Sequence, residues 1–179
     1  MVPDLWHSPM FPIIRGIWRV WQLVWRTMPL SGLPDGLSIY RMRFMTWFVR
    51  IAGVYNASAI VVFLTPGAPE AVGLRMPAIA FWVWLPSLVG LFAGIVLVLS
   101  SVDLQRFGAF PYWNGIVRLV FVVAVFTLDL PERAGAFVTV LAIGDIPLAL
   151  VAIFGLPYVL RRSHTDLLLN RVHLIESAA

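Results

Sequence analysis

Four long apolar runs carry almost every hydrophobic residue of this chain: Phe44–Leu64, Ala78–Ser100, Pro111–Leu130 and Gly135–Leu160. Each is about as long as the ~20 residues a helix needs to cross a bilayer core. Inside a bilayer every backbone N–H and C=O must be satisfied within the segment, so spans of this kind are helices. The pattern predicts an all-α membrane protein, a four-transmembrane-helix bundle. Three of the runs also contain ionisable or amide side chains: Arg50 and Asn56, Asn114 and Arg118, and Asp145. Charge within a bilayer is costly, and where it occurs it marks a site or a structural tie.

The composition leaves little room for a separate soluble domain. The chain has 179 residues, of which 60% are hydrophobic and 12% charged, whereas soluble domains are about half apolar and a quarter charged. There is no cysteine, which excludes disulfides, thiolate metal sites and thiol chemistry. All 13 basic residues are arginine, a usage that points to a GC-rich bacterial genome. The net charge of +4 does not argue for nucleic acid, because the arginines flank the apolar runs, where they set topology and meet lipid headgroups. The first residues, MVPDLWHSPMFP, lack the basic, apolar and small-residue regions of a cleavable signal peptide, so the first span is expected to act as its own insertion signal.

Three segments follow along the chain: residues 1–36, a bundle over 37–162, and a tail over 163–179. Residues 13–28 read IIRGIWRVWQLVWRTM. At helical spacing Arg15, Arg19 and Arg26 share a stripe with Gln22, while Trp18, Trp21 and Trp25 share another. This predicts an amphipathic helix lying in the membrane interface, with packing on a partner protein as the alternative. A cluster of Pro29, Gly32, Pro34 and Gly36 breaks the chain before the bundle, and Asp35 or Ser38 is placed to cap the first span. The tail is expected to add a short helical turn at the surface. Pro86 and Pro147 fall inside spans and should kink them.

Nine arginines (15, 19, 26, 41, 43, 106, 161, 162 and 171) fall on the side of the N-terminus, the second loop and the C-terminus, against Arg75 and Arg133 on the other side. The positive-inside rule then puts both termini in the cytoplasm, in a bacterial inner membrane. WFVRI at 47–51 and GIVRL at 115–119 hint at a parallel duplication of two hairpins.

Helices in lipid associate through small residues. Such faces appear around Gly53 and Ala57 in the first span, Ser87, Gly90 and Gly94 in the second, and Ala142, Ala149 and Ala152 beside Asp145 in the fourth; Gly144 also reads as a packing position. Asp145 should therefore face the interior and pair with Arg118, Arg50 or both, with Asn56 and Asn114 completing the hydrogen bonds. One reading makes this cluster a structural tie. The other starts from two cations facing one acid: an unpaired arginine would bind an anion such as a lipid phosphate or a small carboxylate, or Asp145 would carry a proton. His7, His164 and His173 lie outside the spans. His164, His173 and Asp166 fit a polar tail better than a metal site, and no nucleophilic triad, phosphate loop or zinc motif occurs.

The stretches RIAGVYNASAIVVFLTPGAPEAVGL, FPYWNGIVRLVF and GDIPLALVAIFGLP resemble uncharacterised four-helix bacterial membrane proteins and, in size, helix count and a Gly/Asn-containing first span, the DoxX-like proteins. The resemblance covers residues 41–160, implies an inner-membrane four-helix bundle and assigns no residue a role. Together these readings lead to the expectation of a non-enzymatic inner-membrane subunit without cofactor, metal or nucleic-acid partner. It would be accessory to a membrane complex or self-associated. The alternative is a small transporter or an anionic lipid- or metabolite-binding protein.

Overall fold

In a computed structural model of the chain, residues 35–171 are described, and the interfacial helix expected over 13–28, with Arg15, Arg19, Arg26, Trp18, Trp21 and Trp25, lies outside them. The described chain is all-helical. Four long helices dominate: α1 (Asp35–Leu64), α2 (Phe81–Ser100), α3 (Ala109–Thr127) and α4 (Phe137–Leu160). All four are long and apolar enough to cross a membrane, and the protein is an integral, multi-pass membrane protein. Four crossings place the two ends of the bundle on the same side, together with the α2–α3 connection.

The helix bounds differ from the apolar runs for local reasons. Helix α1 starts before the first run, and Ser38 lies inside it rather than at a cap. Helix α3 starts at Ala109, before Pro111, because a proline in the first helical turn loses no intrahelical hydrogen bond. It ends at Thr127 instead of Leu130 because Asp129 takes a left-handed conformation (φ 54°) and Pro131 opens a separate short helix, Leu130–Ala134. Helix α4 contains Pro147 and widens into a π-helical turn over Val151–Gly155 just before Pro157. A π turn shifts the hydrogen-bond register, which is a recognised way for a helix to absorb a local break in its ladder.

Small residues set the helix contacts. Gly94 of α2 lies against Gly53 and Ala57 of α1, and Gly90 lies against Asn56 and Ala59. Rising numbers on α1 meet falling numbers on α2, so the two are antiparallel. Gly115 of α3 meets Ala149, Ala152 and Ile153 of α4 in the same antiparallel sense. Gly144 does not pack: a Cβ there would meet nothing within 4 Å. The expectation that it is a contact position is therefore corrected. It is on the opposite side of α4 from Ala142, Asp145 and Ala149, all of which are buried.

The interior has two apolar clusters. One joins Met45, Val49, Leu97, Tyr112, Ala152 and Leu156 near the end that carries the α2–α3 connection. The other joins Val125, Val138 and Ala142 with Leu74 from the α1–α2 connection. The outer surface is apolar as well: Phe44, Ile51, Val61, Phe92, Val120 and Ile143 are all more than half exposed. A water-soluble protein does not present such a continuous surface, whereas lipid solvates it at no cost.

The connections are ordered. At the end away from the α2–α3 connection, the Arg75 N–H donates to the Ala134 carbonyl at 2.9 Å, and Arg75 Nη1 donates to the Glu132 carbonyl at 2.9 Å. Gly135 closes this contact with φ 105°, its backbone against the Gly73 carbonyl where any Cβ would collide. Both the conformation and the approach require glycine.

At the other end the α2–α3 connection forms a short helix, Leu104–Phe107, capped by the Asp103 side chain. The tail, expected to add a short helical turn at the surface, forms the helix His164–Leu168, and this helix docks on the bundle. Leu167 is fully buried in the first apolar cluster. Trp113 Nε1 donates to the Leu168 carbonyl at 3.0 Å. Ser163 and Asp166 cap each other: Ser163 Oγ accepts from the Asp166 N–H at 3.1 Å, and the Ser163 N–H donates to Asp166 Oδ2 at 3.3 Å. Replacing Ser163 with Ala should cost about 1 kcal/mol. The expected readout is faster amide exchange at residues 164–168 with the four spans unchanged; unchanged exchange at the tail would show that Leu167 burial alone holds it.

Candidate functional site

A polar ladder crosses the waist of the bundle, between the two apolar clusters. Asn56 lies eight residues from the end of α1, Arg118 nine residues into α3 and Asp145 eight residues into α4. At ~1.5 Å per residue, each is about 12–14 Å from a helix end, near the middle of a bilayer core. Helices α1, α3 and α4 therefore bring polar groups to one level, although the chain separates them widely.

The geometry is a chain of donors and acceptors. Arg118 Nη1 donates to Asp145 Oδ1 in a buried ion pair. Arg118 Nη2 donates to Asn56 Oδ1. Asn56 Nδ2 in turn donates to Asn114 Oδ1 at 3.0 Å. The side chains of Arg118 and Asp145 are 6% and 11% exposed. The Arg118 guanidinium also lies over the Tyr55 ring, 5.1 Å from its centroid, where the π face attracts the cation. Within the cluster one positive and one negative charge cancel. Arg118 Nε is buried and has no acceptor.

Sequence reading brought five side chains to this site, and the structure joins four of them. Arg50 is elsewhere. Its Nε donates to Ser101 Oγ at 3.0 Å, just beyond the last turn of α2, and its guanidinium lies 5.4 Å from the Trp47 ring centroid. The separation follows from periodicity: Arg50 and Asn56 are six residues apart on α1, more than one and a half turns and about 9 Å along the axis. Arg50 consequently does not share Asp145.

Tyr55 does not stand out in the sequence. The available signal was its place one residue before Asn56 and its polar tip on a face otherwise filled by Ile51 and Val54. The docked tail was also missed. There His164 Nδ1 and Tyr112 OH are 2.9 Å apart, with Phe154 edge-on to the imidazole. His173 lies outside the described residues, and Asp166 serves the Ser163 capping box. Among the described residues no group of three or more His, Asp or Glu side chains gathers as a metal-ligand set.

Comparison with family models, with curated proteins and with solved structures finds no match for this chain. Residue roles therefore rest on the geometry alone. Chemically, the ladder holds helices in register and neutralises its own charges.

Proposed function

We propose that this protein is a non-enzymatic inner-membrane subunit of bacterial type, accessory to a larger membrane complex or self-associated, with both termini in the cytoplasm. The observation that carries the reading is the closure of the ladder. The mid-membrane charges are consumed in tying α1, α3 and α4 together, so the cluster is a fastening rather than a carrier. The rest of the described chain is an apolar outer surface with short connections, which suits lateral contact with lipid and with other spans. The α4 face around Gly144 lets a neighbouring helix approach closely. The four-helix plan and the Gly/Asn-containing first span resemble the DoxX-like proteins, which fits a small bacterial inner-membrane protein.

The test is purification of the tagged full chain from its host in mild detergent, with co-purifying proteins identified by mass spectrometry. A stoichiometric partner, or a discrete homo-oligomer, is the expected outcome. A monomer free of protein partners would sink the subunit reading.

A second reading, a small transporter or a binder of a small anion at the Arg–Asp cluster, is favoured by one observation: Arg118 Nε is buried without an acceptor. Under that reading Asp145→Asn abolishes uptake or binding and leaves the bundle's melting temperature unchanged. Under the fastening reading the melting temperature falls.

A further inference from the structure

With Asp145 taken by Arg118, Arg50 is the other arginine within a span, and among the described residues it has no acid partner. Its position is distinctive. Nε is held by Ser101 Oγ at 3.0 Å, and Ser101 Oγ itself donates to the Val98 carbonyl at 2.6 Å. The guanidinium is thereby fixed at the C-terminal end of α2, where unpaired carbonyls carry partial negative charge. The Trp47 ring, 59% exposed, lies beside it. Among the described residues neither Nη of Arg50 has a partner. Four N–H bonds of a half-buried guanidinium, held at Nε, are therefore left to take an acceptor.

The charge distribution gives this end a matching environment. Among residues 38–171, the start of α1, the α2–α3 connection, the end of α4 and the tail carry six arginines besides Arg50, against Asp103 and Asp166. The opposite end carries Arg75 and Arg133 against Glu70, Asp129 and Glu132. One end is strongly basic and the other slightly acidic. Below Arg50, toward the middle of the span, the outer side chains are apolar: Ile51 and Val54 on α1, Val98 and Leu99 on α2. A planar cation with free N–H pairs, a tryptophan beside it and an apolar wall beneath it match the phosphate, headgroup boundary and acyl chains of one phospholipid.

We propose that Arg50, positioned by Ser101, binds the phosphate of an anionic phospholipid, with its acyl chains along the exposed edge of α1 and α2. Two free Nη groups take two phosphate oxygens side by side, and the surrounding arginines favour a headgroup with net negative charge over a zwitterionic one. This site is separate from the Arg118–Asp145 ladder and does not depend on whether the protein has a protein partner.

The experiment is native mass spectrometry of the full chain released from nanodiscs of phosphatidylglycerol and phosphatidylcholine at equal proportion. Wild type should retain one phosphatidylglycerol in preference to phosphatidylcholine. Arg50→Gln should reduce that retention about fivefold, the effect of losing its charge-assisted hydrogen bonds to the phosphate. Arg43→Gln, at an exposed position on α1, should leave the single-lipid preference in place. Ser101→Ala should weaken it about twofold through loss of one positioning hydrogen bond, and Ser101→Thr should restore it. Equal retention of the two lipids by wild type overturns the proposal. So does unchanged retention by Arg50→Gln, or displacement of the lipid by millimolar inorganic phosphate, which would make the site one for a soluble anion. If Arg50→Gln fails to fold, the Ala and Thr variants at Ser101 decide by the same criterion.

Discussion

Asp145→Asn should destabilise the bundle by about 3 kcal/mol, at the low end of the range for breaking a buried ion pair. Asparagine is close in shape and still offers an oxygen to Arg118, so packing is kept and only the compensating charge is removed. Arg118 is then a cation in a nearly closed interior, with Nε already lacking an acceptor. The low end applies because a long arginine on a loosened helix can reach toward the interface. Arg118→Met should cost a similar amount, since it strands Asp145 and leaves Asn56 Oδ1 without its donor. The double variant Arg118→Met/Asp145→Leu should be more stable than either single one, because no buried charge remains. It should still fall short of wild type by about 1–3 kcal/mol, the cost of the unsatisfied Asn56 oxygen. Unfolding by titration of a denaturing detergent into mild-detergent micelles measures all three. A double variant no better than the singles would show that the ladder acts through shape rather than charge.

The parts of this fold that the sequence reveals are those that depend on composition and short-range spacing. Twenty-residue apolar runs fix the four helices because lipid leaves the backbone no other option. Asp145 was assigned to the interior because Ala142, Ala149 and Ala152 share its face. Asn56, Asn114 and Arg118 were assigned to the same cluster because mid-span polar groups need partners. The pairing itself was not legible. Arg50 and Arg118 occupy equivalent places in similar pentapeptides, and only the axial level of each helix in the bundle sends one to Asp145 and the other to Ser101. That level is set by close approaches such as Met45 to Gly155 and Gly115 to Ala152, which are long-range in sequence. Gly144 shows the same limit. It is no different in sequence from Gly53 or Gly90, and only the direction of its face decides that nothing covers it. The docking of the tail is illegible for the opposite reason: SHTDLLLN reads as a short surface turn, polar at its start, yet one leucine fits the core and a two-residue cap holds it there.

Gly94→Ala should be the most damaging single-methyl change within the four long helices, and Gly144→Ala among the most benign. A Cβ at Gly94 would lie 2.7 Å from the Ala57 nitrogen and 2.7 Å from the Ala57 Cβ, and closer still to the Gly53 carbonyl oxygen. Two of these three neighbours are backbone atoms and the third is a Cβ, so no side-chain rotation can relieve the clash. The crossing of α1 and α2 has to open along its length. Overpacking of this kind costs about 1–3 kcal/mol, and the upper part of that range applies here because the backbone itself must move. The loss also reaches the ladder, since Gly90, one turn along the same face, lies against Asn56. At Gly144 the added methyl meets nothing within 4 Å, and alanine is the better helix former by about 1 kcal/mol. Gly144→Ala should therefore hold or slightly raise the melting temperature of the isolated protein. The same change is informative in the membrane: if a neighbouring helix docks on this face of α4, Gly144→Ala weakens that association without weakening the bundle. Melting of the monomer and recovery of the partner or oligomer, measured on one variant, thus separate what the face does for folding from what it does for assembly. A fall in monomer stability for Gly144→Ala as large as that for Gly94→Ala would mean that the arrangement of α4 described here is wrong.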